Sequence, residues 1–236
     1  MSIPLVVTHP PQRSFKPRRR RLSPSRIIAY ARAMERWGLA VDGAQLSFEE
    51  VFGTVGDVVL DIGFGGGDAL IEVAETRPRE HVIGVDVHTP GVAAVLEAIE
   101  SRGLRNVRVV DGDVIDFIGR VPPHSLAAIR VFFPDPWPKR QQRSRRLICS
   151  DVVSRLVALL RAGGTLHLAT DSDDYARQIR TVCDADPVLR GGPIKRPSWR
   201  PITRFEQRAV DEGRTAVDLF YIASESSPSE SSSALR

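Results

Sequence analysis

Four residues that follow an apolar run have the types and spacing expected of a ligand-binding loop. Asp61, Gly63, Gly65 and Gly67 form the pattern D-x-G-x-G-x-G directly after Val58-Val59-Leu60. Glycine has no Cβ, so its backbone adopts positive φ and lets a ligand approach closely, while a following helix offers free N–H groups and a positive dipole end. The stretch therefore predicts a buried strand, a tight turn and a helix start that cradle a small polar ligand.

The spacing of the glycines separates two classes of cofactor. A dinucleotide site has G-x-G-x-x-G, but the third position counted from Gly63 and Gly65 is Asp68. D-x-G-x-G-x-G is instead typical of S-adenosylmethionine-dependent methyltransferases, and the Asp61 carboxylate suits a ligand with a cationic amino-acid end. A glycine-rich surface turn is the alternative that these residues leave open. A dehydrogenase is the weakest interpretation.

Further carboxylates stand where the next strands are expected to end. Asp86 lies 23 positions after Gly63, where open α/β folds commonly place an acid that accepts hydrogen bonds from ribose hydroxyls. Asp111 and Asp113 flank Gly112, and either of them could accept from an adenine amino group. Helix capping or turn formation is the alternative role for each of these acids.

A proline-rich loop carries the acid that we expect to act in catalysis. Asp135 stands in Pro134-Asp135-Pro136-Trp137-Pro138, and prolines restrict the backbone, so Asp135 and Trp137 offer a carboxylate and a ring to a flat base. Because ligands bind outside the carboxyl ends of strands in open α/β sheets, the loop should lie over the cofactor. Trp137 either stacks on the base or packs beneath the loop, and a plain turn role for Asp135 stays open.

The charge distribution indicates a polyanionic partner. The net charge of +4 divides into +8 over residues 1–36, −9 over 37–136, +6 over 137–161 and −1 over 162–236. Two separate basic segments could line the path of a nucleic acid, although charge runs are usually solvated faces. The residues expected to hold phosphates after the proline-rich loop are Lys139, Arg140, Arg143, Arg145 and Arg146.

The elements that must position these residues alternate between strands and helices from Asp57 onward, as in a parallel sheet covered on both faces. We predict a first strand that ends at Asp61, further strands over 81–86, 107–110, 126–133, 165–170 and 216–222, and helices over 26–37, 68–77, 92–101, 144–160 and 172–182. Residues 196–206 are expected to form an ordered loop. The predicted fold is α/β, Rossmann-like and of the class I S-adenosylmethionine-dependent methyltransferase type, a mostly parallel twisted sheet with helices on both faces.

Composition bounds the domain organisation. We predict a basic N-terminal arm with a short helix over 1–36, a methyltransferase domain over 37–223 and a disordered Ser-rich tail over 224–236. No apolar run approaches the ~20 residues of a membrane span, so we expect a cytoplasmic protein. Cys149 and Cys183 lack metal-ligand spacing, so we expect no metal. Both a monomer and a homodimer stay open.

Five motifs together resemble the bacterial tRNA (guanine-N(7)-)-methyltransferase family over about residues 12–222. The motifs are Asp61-Ile62-Gly63-Phe64-Gly65, Val85-Asp86-Val87-His88-Thr89-Pro90-Gly91, Phe132-Phe133-Pro134-Asp135-Pro136-Trp137-Pro138-Lys139, Ala169-Thr170-Asp171 and Arg200-Pro201-Ile202-Thr203-Arg204-Phe205-Glu206. The Asp135 loop and the Thr203–Glu206 stretch are specific to that family, whereas the glycine loop is shared by many methyltransferases. The chain departs from the family in carrying Asp at 61 and 86, where Glu is usual, and Pro at 138, where His is common.

The resemblance implies transfer of a methyl group from S-adenosylmethionine to N7 of guanosine 46 in the variable loop of tRNA. It implies cofactor contacts by Asp61, Asp86, Asp113 and Asp135, and substrate contacts by Lys139, Asp171, Thr203, Arg204, Phe205 and Glu206. The shorter acids at 61 and 86 keep the charge and lose one methylene of reach. Two alternatives remain, a methyltransferase that acts on another RNA or a small molecule, and a non-catalytic RNA-binding protein with a degenerate cofactor pocket.

Overall fold

A seven-stranded sheet organises the protein, with the strand order β3-β2-β1-β4-β5-β7-β6. The computed structural model describes residues 22–224, so Arg18–Arg21 and most of the predicted Ser-rich tail lie outside the described residues. The strands are β1 (Asp57–Ile62), β2 (Glu80–Asp86), β3 (Val107–Asp111), β4 (Leu126–Phe132), β5 (Leu160–Thr170), β6 (Leu189–Ile194) and β7 (Val217–Ala223). Strands β1 to β5 pair in parallel, and β7 runs antiparallel to both β5 and β6.

Helices cover both faces of this sheet. They are α1 (Pro24–Trp37), α2 (Phe48–Phe52), α3 (Asp68–Thr76), α4 (Thr89–Arg102), α5 (Val114–Phe117), α6 (Ser150–Val157), α7 (Asp173–Asp184) and α8 (Arg204–Asp211). Helix α4 begins near Pro90, which suits a first turn, and ends at Gly103, whose φ of 68° continues the chain in the left-handed conformation. The α/β architecture predicted from the alternation of elements is confirmed.

Alternate residues of each strand supply two apolar layers. Val82 and Ile83 are neighbours in β2 but belong to different clusters of buried residues, because successive strand side chains point to opposite faces. Ile83 packs in the layer that includes α6 and α7, while Val82 packs with α3 and α4. Helix α1 joins the second layer through Ala33, and the Arg26 guanidinium pairs with Glu97 of α4 at 2.8 Å. The predicted short helix thus packs on the sheet domain.

The order of the strands creates a crevice at one end of the sheet. Strand β1 pairs with β2 on one side and with β4 on the other, with Ile62 opposite both Val85 and Val131. The carboxyl ends of these three strands therefore meet at one edge, where the chain connections diverge to the two sides. This edge receives the glycine loop and the Asp135 loop.

The predicted helix over 144–160 is wrong in its extent. Arg140–Arg145 forms a separate 3-10 helix, α6 covers only Ser150–Val157, and β5 already begins at Leu160. Leu126 pairs with Leu160 and Ala128 with Thr165, so β5 holds three more residues than β4 across this step. Gly163 and Gly164 therefore lie in a bulge of β5. Paired glycines after an apolar helical pattern are also typical of a helix end, which is why the sequence predicted one here.

Strand β6 and the helices α2, α5 and α8 were not predicted. Strand β6 contains Gly191-Gly192-Pro193, a turn-like sequence, but it is an edge strand, where proline costs no ladder bond. A Cβ on Gly191 would lie 2.0 Å from the Phe220 carbonyl oxygen, so the tight pairing with β7 requires glycine. Helix α2, capped by Ser47, was not predicted. Helix α8 replaces part of the expected loop over 196–206.

Candidate functional site

A cavity opens at the carboxyl ends of β1, β2 and β4. Its walls come from the glycine loop, the ends of β2 and β3, the Asp135 loop and one residue of α8. Of the predicted site residues, those that line it are Gly63, Gly65, Asp86, Asp113, Asp135 and Phe205. The structure therefore brings together residues that are separated by up to 142 positions in the chain.

Asp86 fixes the shape of the glycine loop. Its two carboxylate oxygens accept hydrogen bonds from the backbone N–H groups of Gly65 at 2.6 Å and of His88 at 2.7 Å. Burial raises the pKa of Asp86 above its ordinary value, and these two N–H groups oppose the rise. Each oxygen keeps a lone pair, so the carboxylate can still accept hydrogen bonds from a ligand in the cavity.

Gly67 allows the glycine loop to lead into α3. It precedes the first residue of the helix with φ of 85°, and a Cβ at this position would lie 2.1 Å from Cγ2 of Val95. A side chain here would be strained by the backbone and would collide with α4. Gly67 thus acts on the packing of the two helices, and it does not line the cavity.

Asp61 does not line the cavity but directly precedes Ile62, which does. Its side chain is buried, and burial raises its pKa to about 6, while the positive charge of Arg130 opposes the rise and the charge of Asp86 adds to it. Arg130 is itself paired with Glu80 at 2.7 Å. The Asp61 carboxyl therefore gains or loses its proton near pH 6, and a cationic ligand group would favour the ionised form.

Asp111 and Asp113 have different surroundings. Asp113 lines the cavity and also caps α5, since its Oδ1 accepts from the Ile115 N–H at 3.0 Å. Asp111 accepts hydrogen bonds from the hydroxyls of Tyr30 at 2.7 Å and Thr89 at 3.3 Å. Of the two acids left open by the sequence, Asp113 faces the cavity.

The Asp135 loop has an unusual backbone at both ends. Phe133 has φ of 54° and Trp137 has φ of 41°, a region that L side chains rarely adopt. The Trp137 side chain is 2% exposed, and the Arg145 guanidinium lies 3.6 Å from its ring centroid. Of the two roles left open for Trp137, the structure has the packed one.

The basic residues after this loop differ in their surroundings, and Arg145 lies half-buried over the Trp137 ring. Lys139, Arg140 and Arg143 are exposed, as phosphate contacts require, and Arg143 also pairs with Asp174 of α7 at 3.1 Å. Arg146 is buried and bonded to protein groups, so the expectation that it holds a phosphate is wrong.

A second cavity adjoins the other side of the Asp135 loop. Its lining includes Pro136, Asp171, Gly213 and Arg214. The Arg214 guanidinium donates to Oδ2 of Asp171 at 2.9 Å through Nε and lies 2.8 Å from the same oxygen through Nη2. Pro134 and Asp135 line the first cavity while Pro136 lines the second, so one short loop separates the two spaces.

The stretch from Thr203 to Glu206 forms the start of α8, and its four residues have different surroundings. Thr203 caps the helix through Oγ1, which accepts from the Glu206 N–H at 3.1 Å. Arg204 pairs with Asp68 of the glycine loop region at 2.8 Å, and the Phe205 ring lies near Gly65. Thr-x-x-Glu before a helix is a capping-box pattern, and that signal could have predicted α8.

A buried ion cluster that sequence reasoning missed anchors α8. Arg200 is fully buried and donates to Glu206 at 2.7 and 3.1 Å and to Asp218 at 2.7 and 2.8 Å. His167 shares Asp218 through Nε2 at 2.7 Å. Hydrogen bonds from His167 and Arg200 hold the pKa of Asp218 below its ordinary value against the effect of burial. Glu206, which the resemblance assigned to the substrate, is engaged by Arg200.

Three further features of residues 22–224 concern membrane helices, metal sites and cysteines. Within residues 22–224, no helix is long and apolar enough to cross a membrane. The same range contains no group of three or more His, Cys, Asp or Glu side chains that could hold a metal. Cys149 and Cys183 are free thiols.

Comparison with known proteins covers most of the chain. A family model described as "Putative methyltransferase" matches residues 56–219. A tRNA (guanine-N(7)-)-methyltransferase of Streptomyces avermitilis is 41% identical over 215 residues, which cover 89% of this chain and 74% of the relative. A tRNA (guanine-N(7)-)-methyltransferase of Marinobacter nauticus is 41% identical over 222 residues, with 92% and 93% covered.

Solved structures share the fold at low identity. The aminoglycoside resistance methyltransferase NpmB1 gives a TM-score of 0.52 at 20% identity and covers 76% of this chain and 94% of its own. An rRNA methylase from Streptococcus thermophilus gives a TM-score of 0.52 at 12% identity, with 84% and 95% covered. These matches confirm the predicted class I methyltransferase fold.

Proposed function

Since the chain belongs to the tRNA (guanine-N(7)-)-methyltransferase family, we propose that it transfers the methyl group of S-adenosylmethionine to N7 of guanosine 46 in the variable loop of tRNA. The observation that carries the proposal is the pair of cavities on the two sides of the Asp135 loop. One cavity suits a donor and the other an acceptor, and the loop that carries Asp135 separates them.

The first cavity has the groups that S-adenosylmethionine requires. Asp86 accepts hydrogen bonds from the ribose hydroxyls, and Asp113 accepts from the adenine amino group. The Asp61 carboxylate, which precedes the glycine loop, attracts the ammonium group at the methionine end of S-adenosylmethionine. Gly63 and Gly65 both have positive φ and carry no side chain, so the methionine portion of the cofactor can lie close to the backbone there.

The second cavity is the proposed acceptor site. Asp171 accepts hydrogen bonds from the N–H groups of the guanine edge once Arg214 has moved away, and the loop at Pro136 bounds the base on its other side. When bound, S-adenosylmethionine supplies an electrophilic methyl group on a sulfonium. N7 carries a free lone pair, so no proton has to leave it and the protein needs no general base there.

The contribution of this chain is thus positioning and charge. Alignment of two reactants can remove on the order of 7–11 kcal/mol from a barrier in well-oriented intramolecular reactions. Positive charge moves onto the purine during transfer, and the Asp135 carboxylate is placed to stabilise it. Lys139, Arg140 and Arg143 hold phosphates and set the position of the RNA without reading its sequence.

The direct test uses labelled S-adenosylmethionine and unmodified tRNA. Borohydride reduction followed by aniline cleaves RNA at N7-methylguanosine, and we expect scission at position 46 with the wild-type protein and at least a hundredfold less with Asp135→Ala. Label in RNA without scission would place the methyl group on another atom. tRNA binding without any heat of S-adenosylmethionine binding in calorimetry would favour a non-catalytic RNA-binding protein.

A further inference from the structure

The loop that carries Asp135 needs external support to keep its shape. Phe133 and Trp137, at its two ends, both have positive φ, and non-glycine residues keep such backbone angles only where the surrounding structure enforces them. Three prolines restrict the chain between and after these residues, but proline alone does not set φ at 133 or at 137. Another group must therefore hold the loop.

The Arg146 side chain binds the backbone of the Asp135 loop and two side chains of α7. Its Nε donates to the Pro136 carbonyl oxygen at 2.8 Å, its Nη1 donates to Oε1 of Gln178 at 2.6 Å, and its Nη2 donates to Oδ2 of Asp174 at 2.5 Å. The guanidinium also lies 4.8 Å from the Tyr175 ring centroid. The Arg146 side chain is 1% exposed, so the guanidinium is shielded from water, while the Asp174 carboxylate is 36% exposed. Hydrogen bonds from a charged donor are stronger than those between neutral groups.

The partners of Arg146 belong to two segments that each contribute a residue to the lining of the proposed acceptor cavity, the Asp135 loop and helix α7. Pro136 belongs to the loop, while Asp174 and Gln178 belong to α7, which begins two residues after Asp171. Pro136 and Asp171 both line that cavity. One guanidinium thus links the loop that holds Asp135 to helix α7, which begins two residues after Asp171.

We propose that Arg146 is the positioning residue that sets the separation of Asp135 and Asp171, and so aligns donor and acceptor. The proposal rests on the proposed function, because alignment matters only where a methyl group is transferred between the two cavities. It requires arginine in particular, since the planar fork makes three directed bonds, whereas lysine offers a compact charge on a flexible stem.

The test is Arg146→Lys, with Arg177→Gln as the matched control. Arg177 lies 3.9 Å from the same Asp174 carboxylate within α7, and its side chain is 72% exposed. We expect Arg146→Lys to lower kcat for N7 methylation at least tenfold, with the Kd for S-adenosylmethionine changed less than threefold. Arg177→Gln should change neither quantity by more than twofold. If Arg146→Lys does not fold, Asp174→Asn, which removes the anchor on α7, should likewise lower kcat at least tenfold and change the Kd for S-adenosylmethionine less than threefold. The tRNA must be saturating in this assay, because Asp174 also lies 3.1 Å from Arg143.

The outcomes separate this proposal from the proposed function. Wild-type kcat in folded Arg146→Lys would overturn the positioning role. A loss of kcat that is matched by equal losses in cofactor affinity and thermal stability would also overturn it, because a purely structural role predicts that pattern. A wild-type protein that gives no N7-methylguanosine would overturn the proposed function itself.

Discussion

The Glu206 carboxylate accepts two hydrogen bonds from the Arg200 guanidinium, at 2.7 and 3.1 Å, in the interior of the protein. Arg200 is held at the same time by Asp218 of β7. This relationship ties the first turn of α8, which places Phe205 at the first cavity, to β7, which lies inside the sheet between β5 and β6. The end of the T-R-F-E stretch is therefore joined to the core.

Removal of Glu206 should reduce stability. Glu206→Ala leaves a buried guanidinium with one carboxylate partner, and the loss of one member of a buried ion pair costs about 3–5 kcal/mol. We expect about 3 kcal/mol, since Asp218 remains, measured by urea denaturation. Gln207→Ala, at an exposed position of the same helix that bonds Asp211, should cost less than about 0.5 kcal/mol. Unchanged stability with a raised KM for tRNA would instead favour the substrate contact that the resemblance implies.

Binding of S-adenosylmethionine should weaken on acidification. The pKa of Asp61 is raised to about 6 by burial, and a bound ammonium favours the ionised carboxylate. As the pH falls through about 6, protonation of Asp61 removes this attraction, so the Kd should rise by up to about tenfold per pH unit. Because burial disfavours the charged carboxylate, the neutral form of Asp61 stabilises the folded protein. This contribution to the free energy of unfolding is lost as the pH rises through about 6.

Calorimetry from pH 5 to 8 measures this effect. Asp61→Asn should bind more weakly at pH 8 and lose the pH dependence. Asp113→Asn, the matched control in the same cavity, should bind more weakly at every pH and keep the dependence, because Asp61 is intact. Burial also raises the pKa of Asp86, so a dependence that persists in Asp61→Asn would assign the titration to Asp86.

Sequence patterns predicted the elements whose signals are local. The apolar runs of β1 and β2, the glycine loop and the acids at strand ends depend on neighbours in the chain, and Gly63, Gly65, Asp86 and Asp113 do meet at one cavity. The exposed strand β6 and the helix α8 were missed because their glycines, prolines and charges suggest loops. Their stability comes from pairing with β7 and from the Arg200 cluster.

The roles of the arginines could not be predicted because charge patterns do not specify burial. Arg143 and Arg146 belong to the same basic run, yet the first is exposed and the second is buried between a loop and α7. Arg200 bonds Glu206 six positions away and Asp218 eighteen positions away. Such long-range partners follow from the folded topology.

Gly67 should tolerate no side chain. Gly67→Ala adds a positive-φ strain of about 1–3 kcal/mol and a collision with Val95 at 2.1 Å. Gly103→Ala is the matched control, since Gly103 also has positive φ, of 68°, but has no atom within 4 Å of an added Cβ. We expect Gly67→Ala to be the less stable variant by at least about 1 kcal/mol in urea denaturation, and to bind S-adenosylmethionine more weakly. Equal stability of the two variants would contradict the close packing of α3 on α4.

The exposed basic residues after the Asp135 loop should control the salt dependence of tRNA binding. Each phosphate that is neutralised releases counterions, with a slope of about 0.7–0.9 in log K against log salt concentration per contact. Lys139→Gln and Arg140→Gln should each reduce the slope by about 1 and leave kcat at saturating tRNA within about threefold of wild type. Filter binding between 50 and 300 mM KCl, on the order of the physiological range, measures the slope.

Arg102→Gln is the control, because Arg102 lies at the end of α4 and pairs with Glu75 at 2.9 Å. An equal change of slope in that variant would mean that the slope reports the net charge of the protein and not a phosphate contact.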